Sequence, residues 1–134
     1  MPLDAVATVA RVLIVDDDAS VADWFSRTMR LNGHEVWAAQ STGEGLALAQ
    51  THRPHAVILD LRMPLASSVR FLRAVRGIPV LLTAPLAIVT SDYAQNAAQT
   101  AEIEALGAEL RYRPQWLNEL VTLAHELLAL PVQS

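Results

Sequence analysis

Two residue types are missing from this chain of 134 residues. It contains no cysteine, and all ten of its basic residues are arginine, so it contains no lysine either. The lack of cysteine excludes disulfide bonds and thiolate metal sites. The lack of lysine means that no side-chain ammonium group is available at any position of the chain.

Positive charge and long apolar runs are also scarce. The net charge is -4 and the pI is about 5.4, which argues against sequence-independent binding of nucleic acid. The longest apolar stretch, residues 78–89, is broken by Pro79 and Pro85 and falls short of the ~20 residues of a membrane helix. Residues 1–11 contain Asp4 and lack the regions of a secretory leader. We therefore expect a soluble cytoplasmic protein that binds neither nucleic acid nor a membrane.

The chain does contain enough apolar sequence for one packed domain, with 52% hydrophobic and 18% charged residues. Continuous apolar runs such as residues 12–15 are typical of parallel strands that are buried on both faces. Such runs alternate with longer, helix-like stretches. The predicted strands are 11–15, 35–39, 56–60, 86–90 and 109–112, and the predicted helices are 19–31, 42–50, 67–76, 92–106 and 116–130.

This strict alternation predicts an α/β fold, a five-stranded parallel sheet that is doubly wound with helices on both faces. We expect an N-terminal extension at residues 1–10, one domain at 11–130 and a C-terminal tail at 131–134. A ligand would bind at the carboxyl ends of the strands. The apolar segment 77–82 is expected to fold back on the core, with an interaction patch as the alternative.

Polar residues follow the carboxyl ends of three predicted strands. Asp16 and Asp17 follow the first strand, Asp60 ends the third, and Thr90 and Ser91 lie at the end of the fourth. The carboxyl ends of parallel strands meet at one edge, where three carboxylates would repel one another unless a cation were bound. Mg²⁺ binds one or two carboxylates together with phosphate and water. The sequence therefore predicts a magnesium site at this edge.

Two more polar residues flank the same edge. Arg113 ends the fifth strand, and its guanidinium can pair there with a carboxylate or a phosphate. Asp18 directly precedes a predicted helix, and we interpret it as the N-cap of that helix. Capping does not explain Asp16, Asp17 and Asp60, whose shared location follows from the predicted topology.

The four histidines show no spacing that is typical of a metal site. His52 and His55 are close in sequence, but Pro54 lies between them and prevents a shared helical face. We expect these two, together with His34 and His125, to be ordinary surface or loop residues.

Four motifs, taken in order, resemble the receiver domain of bacterial response regulators, the CheY-like proteins of two-component signalling. They are VLIVDD at 12–17, VILDLRMP at 57–64, IVTS at 88–91 and RP at 113–114. Each motif is weak alone, but the ordered set is specific and spans roughly residues 11–130. Thr90, rather than Thr83, lies at the distance from Asp60 that suits this family.

The resemblance implies that Asp60 accepts a phosphoryl group from a sensor histidine kinase or a phosphotransfer protein. The protein ligands of Mg²⁺ would be Asp16, Asp17, Asp60 and the backbone carbonyl of Arg62. The chain would then not be an enzyme in the usual sense, since it would catalyse only its own phosphorylation and dephosphorylation.

The resemblance also indicates which residues respond to the phosphate. Thr90, Ser91 and Arg113 would bind the phosphoryl group and switch the conformation, while Arg62 and Asp92 would set the lifetime of the phosphate. The signal would pass through the surface formed by the fourth helix, the fifth strand and the fifth helix. A downstream protein target, or a second copy of the chain in a homodimer, would bind there.

Departures from the family pattern leave a second function open. Arg113 stands where the family normally has lysine, and a planar guanidinium does not replace an ammonium point charge in every respect. Ser67 and Ser68 stand where Asp-Gly is common, and Leu110 stands where an aromatic residue is common. The alternative is a pseudo-receiver, a protein-interaction module that works without phosphorylation.

A phosphatase of the haloacid-dehalogenase type is a further alternative. Residues 16–20 superficially match its Asp-x-Asp-x-Ser/Thr signature. That interpretation leaves Asp60 unexplained, and such enzymes usually have a lysine that this chain lacks. The sequence also leaves open whether the chain is a stand-alone regulator or part of a longer one.

Overall fold

The architecture is an alternation of strands and helices. The computed structural model describes residues 9–60, 62–90, 97–112 and 117–129, and for Leu117 only the backbone. The strands are β1 (Arg11–Asp16), β2 (Glu35–Ala39), β3 (Ala56–Asp60), β4 (Leu86–Thr90) and β5 (Ala108–Tyr112). The helices are α1 (Ala19–Leu31), α2 (Thr42–His52), α3 (Leu65–Arg76), α4 (Ala97–Ala105) and α5 (Leu117–Ala129), and a 3₁₀ turn spans Pro79–Leu81.

All five strands are parallel and form one sheet in the order β2-β1-β3-β4-β5. The chain adds β2 on one side of β1 and then returns to add β3 on the other side. The order therefore reverses between β1 and β3, and a ligand crevice is expected outside the carboxyl ends of those two strands. The predicted doubly wound α/β fold is confirmed.

Two hydrophobic cores lie on the two faces of the sheet. Along β1, Leu13 and Val15 face the core beneath α2, α3 and α4, whereas Val12 and Ile14 face the core beneath α1 and α5. All four side chains are at most 1% exposed. Burial of each contributes about 1.5–3 kcal/mol before the cost of ordering the chain. This two-sided burial explains why the strand is a continuous apolar run.

The helix termini show how local sequence sets the element boundaries. The carboxylate of Asp18 accepts hydrogen bonds from the amides of Ser20 and Val21 at 3.0 and 3.2 Å, so its predicted role as the N-cap of α1 is confirmed. The third helix begins at Leu65, two residues before the predicted start at 67. Leu65 is buried and extends the apolar stripe of this helix by one position, which accounts for the earlier start.

The segment that follows α3 folds back only in part. Leu81 is buried and Ile78 packs against the same core, as expected, but Val80 and Leu82 are 57% and 61% exposed. Arg76, the last residue of α3, is buried, and it donates hydrogen bonds to backbone carbonyls of this segment. Within the residues described, no helix is long and apolar enough to cross a membrane.

Candidate functional site

Asp16 and Asp60 lie side by side at the carboxyl ends of the two central strands. They are the last residues of β1 and β3, and the two strands pair them in register. Both residues are buried, with 2% and 3% of their surface exposed. The predicted meeting of these two carboxylates is confirmed, and it falls at the point where the strand order reverses.

Asp17 connects the loop after β1 to the loop after β3. Its Oδ2 accepts a hydrogen bond from the backbone N–H of Arg62 at 3.4 Å. The side chains of Asp17 and Arg62 are both exposed. The loop after β1 orients the side chain of Asp16, since its Oδ1 accepts a hydrogen bond from the amide of Asp18 at 2.8 Å. The backbone of Arg62 therefore lies at the same edge as the three carboxylates.

Thr90 brings a hydroxyl to this edge from the neighbouring strand. It is the last residue of β4, which pairs with β3, and it is 1% exposed. Thr83, by contrast, is exposed and precedes β4, so it lies at the opposite edge of the sheet. The choice of Thr90 over Thr83 agrees with these positions.

Three of the predicted site residues lie outside the described part of the chain. They are Ser91, Asp92 and Arg113. Their predicted roles in phosphate binding, switching and phosphate lifetime stay predictions.

The donor atoms at this edge fit Mg²⁺ better than a softer metal ion. They are carboxylate oxygens of Asp16, Asp17 and Asp60 and the backbone carbonyl of Arg62, and Mg²⁺ prefers oxygen ligands. Within the described ranges, no group of three or more acidic or histidine side chains lies close enough together to hold a metal ion. Mg²⁺ does not need such a cage, because it keeps several waters and usually binds only one or two carboxylates.

A cleft of about 430 Å³ lies between α4 and β5. Its lining includes Ile103, Leu110 and Arg111, and Arg111 pairs with Glu109 at 3.0 Å. Leu110 is half-buried in this cleft. The cleft forms where α4 packs against the edge strand β5, and this long-range contact cannot be predicted from the spacing of residues in the sequence.

Comparison with known proteins identifies the family. The sequence model described as the response regulator receiver domain matches residues 12–109. The transcriptional regulatory protein PrrA of Mycobacterium tuberculosis is 33% identical over 126 residues, which cover 94% of this chain and 53% of PrrA. The response regulator MprA of Mycolicibacterium vanbaalenii is 31% identical over 118 residues, which cover 88% of this chain and 50% of MprA. The chain thus spans about half the length of these curated relatives.

Solved structures agree with this assignment. The chemotaxis response regulator CheY4 of Vibrio cholerae has a TM-score of 0.73 and 30% identity, over 90% of this chain and 99% of that one. The non-phosphorylated HemR receiver domain of Leptospira biflexa has a TM-score of 0.76 over 93% of this chain and 98% of that one. Since HemR is only 21% identical, that similarity shows the fold alone.

Proposed function

The chain belongs to the response regulator receiver domain family, and we propose that it works there as a magnesium-dependent switch that is phosphorylated on Asp60. Membership in this family implies a partner that supplies the phosphoryl group, either a sensor histidine kinase or a phosphotransfer protein. The downstream target and a homodimer through α4, β5 and α5 are part of the proposal, because the surface of α4 and β5 offers a cleft for such a contact.

One observation carries the proposal. Asp16 and Asp60 are paired in register and buried at the carboxyl ends of β1 and β3, where the strand order reverses. A buried pair of carboxylates is costly unless a cation or a hydrogen-bond network stabilises it. A site that binds Mg²⁺ and then a phosphoryl group is a physical reason for keeping both carboxylates at this position.

Phosphoryl transfer would be a single displacement on the donor. A carboxylate oxygen of Asp60 attacks the phosphorus of a phosphohistidine, so that an O–P bond forms while the P–N bond breaks. The donor imidazole leaves with the electron pair of that bond and takes up one proton. When bound, Mg²⁺ offsets the negative charge of the phosphoryl oxygens and of the neighbouring carboxylates. Asp16, Asp17 and Asp60 would hold the ion, and the backbone carbonyl of Arg62 would complete the protein ligands.

Thr90 would detect the product. It ends the strand next to Asp60 and is buried at the same edge, so its hydroxyl can donate a hydrogen bond to a phosphoryl oxygen. That bond would draw the loop after β4 toward Asp60 and change the surface of α4 and β5. Arg113 would add a guanidinium contact to the phosphate.

The experiment is phosphorylation by a small-molecule donor. The protein is incubated with acetyl phosphate or phosphoramidate, with and without Mg²⁺, and its intact mass is measured. We expect one added phosphoryl group, dependent on Mg²⁺ and absent in Asp60→Asn. Asp23→Asn is the matched control, because Asp23 lies exposed on α1 and pairs there with Arg27. An adduct that persists in Asp60→Asn would contradict the assignment of the acceptor.

A pseudo-receiver is the second candidate, and the observation that favours it is Arg113 in place of the usual lysine. Under that alternative neither the phosphodonor nor beryllofluoride with Mg²⁺ would produce an adduct or a change in Trp fluorescence. The capping role of Asp18 argues against the phosphatase alternative, because its carboxylate already accepts two amide hydrogen bonds at the start of α1. The test of that alternative is turnover of a generic phosphate ester, and we expect none.

A further inference from the structure

His34 and His125 come together although they lie far apart in the sequence. His34 precedes β2, in the turn that follows α1, and His125 lies on α5. Their ring centroids are 5.6 Å apart and their planes are tilted by 57°. Both positions agree with the expectation of loop or surface histidines, since His34 lies in a turn and His125 is exposed, but the contact between the two rings was not predicted.

The Nδ1 atom of His34 is buried and has no hydrogen-bond partner among the residues that the structure describes. A buried nitrogen of this kind costs free energy unless a water molecule or an ion contacts it. Burial lowers the pKa of His34, and the neighbouring His125 lowers it further. The neutral imidazole is the form that binds metal ions.

The distance between the two rings fits a shared metal ion. Zn²⁺ binds imidazole nitrogen at about 2.0–2.1 Å, so two imidazoles on one tetrahedral ion have centroids about 5–6 Å apart. A tilted pair is compatible with this arrangement. Another close ring pair among the described residues is different, since Trp37 and His52 are stacked at 4.3 Å with planes only 14° apart.

We propose that His34 and His125 form a binding site for a borderline divalent transition-metal ion such as Zn²⁺ or Ni²⁺. Imidazole suits these ions, whereas carboxylate and carbonyl oxygens suit Mg²⁺. With two protein ligands, the remaining coordination positions belong to water. The bound ion joins the turn between α1 and β2 to α5, so it stabilises the packing of these two elements. This site is separate from the carboxylate edge and does not depend on phosphorylation of Asp60.

The test is thermal unfolding of the untagged protein with Zn²⁺ or Ni²⁺, using EDTA as the metal-free reference. At an ion concentration of about one hundred times Kd we expect Tm to rise by roughly 5 °C or more, and to keep rising with the logarithm of the ion concentration. Mg²⁺ at the same concentration should not reproduce it. The rise should disappear in His34→Ala and in His125→Ala.

The chain supplies its own matched controls, because it has only four histidines. His52→Ala and His55→Ala should keep the metal-dependent rise, and so should Asp60→Asn. His125 is exposed, so His125→Ala should fold normally, as circular dichroism in EDTA will show. No metal-dependent rise in Tm of the wild-type protein, or an equal rise in His125→Ala, would overturn the proposal.

Discussion

Replacing Arg76 with methionine should lower the free energy of unfolding by about 3 kcal/mol. Arg76 is 8% exposed. Its Nε donates a hydrogen bond to the carbonyl of Leu106, and its Nη1 donates to those of Leu81 and Ala84, each at 2.7 Å. The guanidinium thus joins the segment after α3 to the turn after α4. Methionine keeps the apolar stem but removes these donors, together with Nη2, which donates a longer hydrogen bond to the carbonyl of Gly107 at 3.4 Å.

The magnitude follows from two opposing contributions. Each hydrogen bond from a charged donor contributes about 1.5–3 kcal/mol, which gives roughly 5–9 kcal/mol for three bonds. Burying the cation costs several kcal/mol, and burial accordingly lowers the pKa of Arg76. The difference between these two contributions is a decrease of about 3 kcal/mol in the free energy of unfolding, which corresponds to a decrease in Tm of roughly 10 °C for a chain of this size.

The assay is urea unfolding followed by Trp fluorescence and circular dichroism. Arg73→Met is the matched control, since Arg73 lies one turn earlier on α3 and is exposed, where it pairs with Glu102. The control should leave the unfolding midpoint nearly unchanged. Arg76→Lys should decrease the free energy of unfolding by an intermediate amount, because one ammonium group cannot reproduce the planar set of N–H donors of a guanidinium. A midpoint for Arg76→Met as high as that of the control would refute the reasoning.

Two further predictions concern packing and pH. Gly45→Ala should destabilise the protein by about 1–2 kcal/mol, because the new Cβ would lie 2.7 Å from Cγ2 of buried Val15. Gly43→Ala meets nothing within 4 Å on the same helix and should stabilise by up to about 1 kcal/mol, so equal urea midpoints would contradict this account. The second prediction concerns His55, whose pKa is lower in the folded than in the unfolded state. The free energy of unfolding should fall as the pH drops from about 7.5 to about 5.5, because His55 of the unfolded state binds its proton at the higher pH. Burial, and then the charge of Arg11, lowers the pKa of His55, whose Nδ1 accepts a hydrogen bond from the Arg11 amide at 2.9 Å. His55→Gln should weaken this pH dependence in urea unfolding, and an unchanged dependence would count against His55.

The strands and the carboxylate edge were predictable because their signals are local. A strand that is buried on both faces must be a continuous apolar run, and the three such runs at β1, β3 and β4 were predictable as strands for this reason. Once the strands are parallel, Asp16 and Asp60 must meet at one edge, as they do. Asp18 was predictable as well, because an N-cap depends only on the residues directly after it.

The features that sequence analysis missed depend on long-range packing. Arg76 is in the last turn of a helix, where a basic residue is common because it favours the helix dipole. Its burial depends on how the next segment closes over it. In that segment Leu81 is buried while its neighbour Leu82 is exposed, although both are leucines in one apolar run. The contact between His34 and His125 likewise exists only because α5 packs beside α1.

The most direct test of the central claim is to locate the phosphoryl group on the chain. Treatment of the phosphorylated protein with borohydride reduces an aspartyl phosphate to homoserine, which survives digestion. Trypsin then separates Asp60, in the peptide of residues 31–62, from Asp16 and Asp17, in the peptide of residues 12–27. We predict homoserine at position 60 after incubation with Mg²⁺ and acetyl phosphate, and none when EDTA replaces Mg²⁺. Homoserine at 16 or 17 instead, or an unmodified Asp60 in a folded protein, would contradict the account.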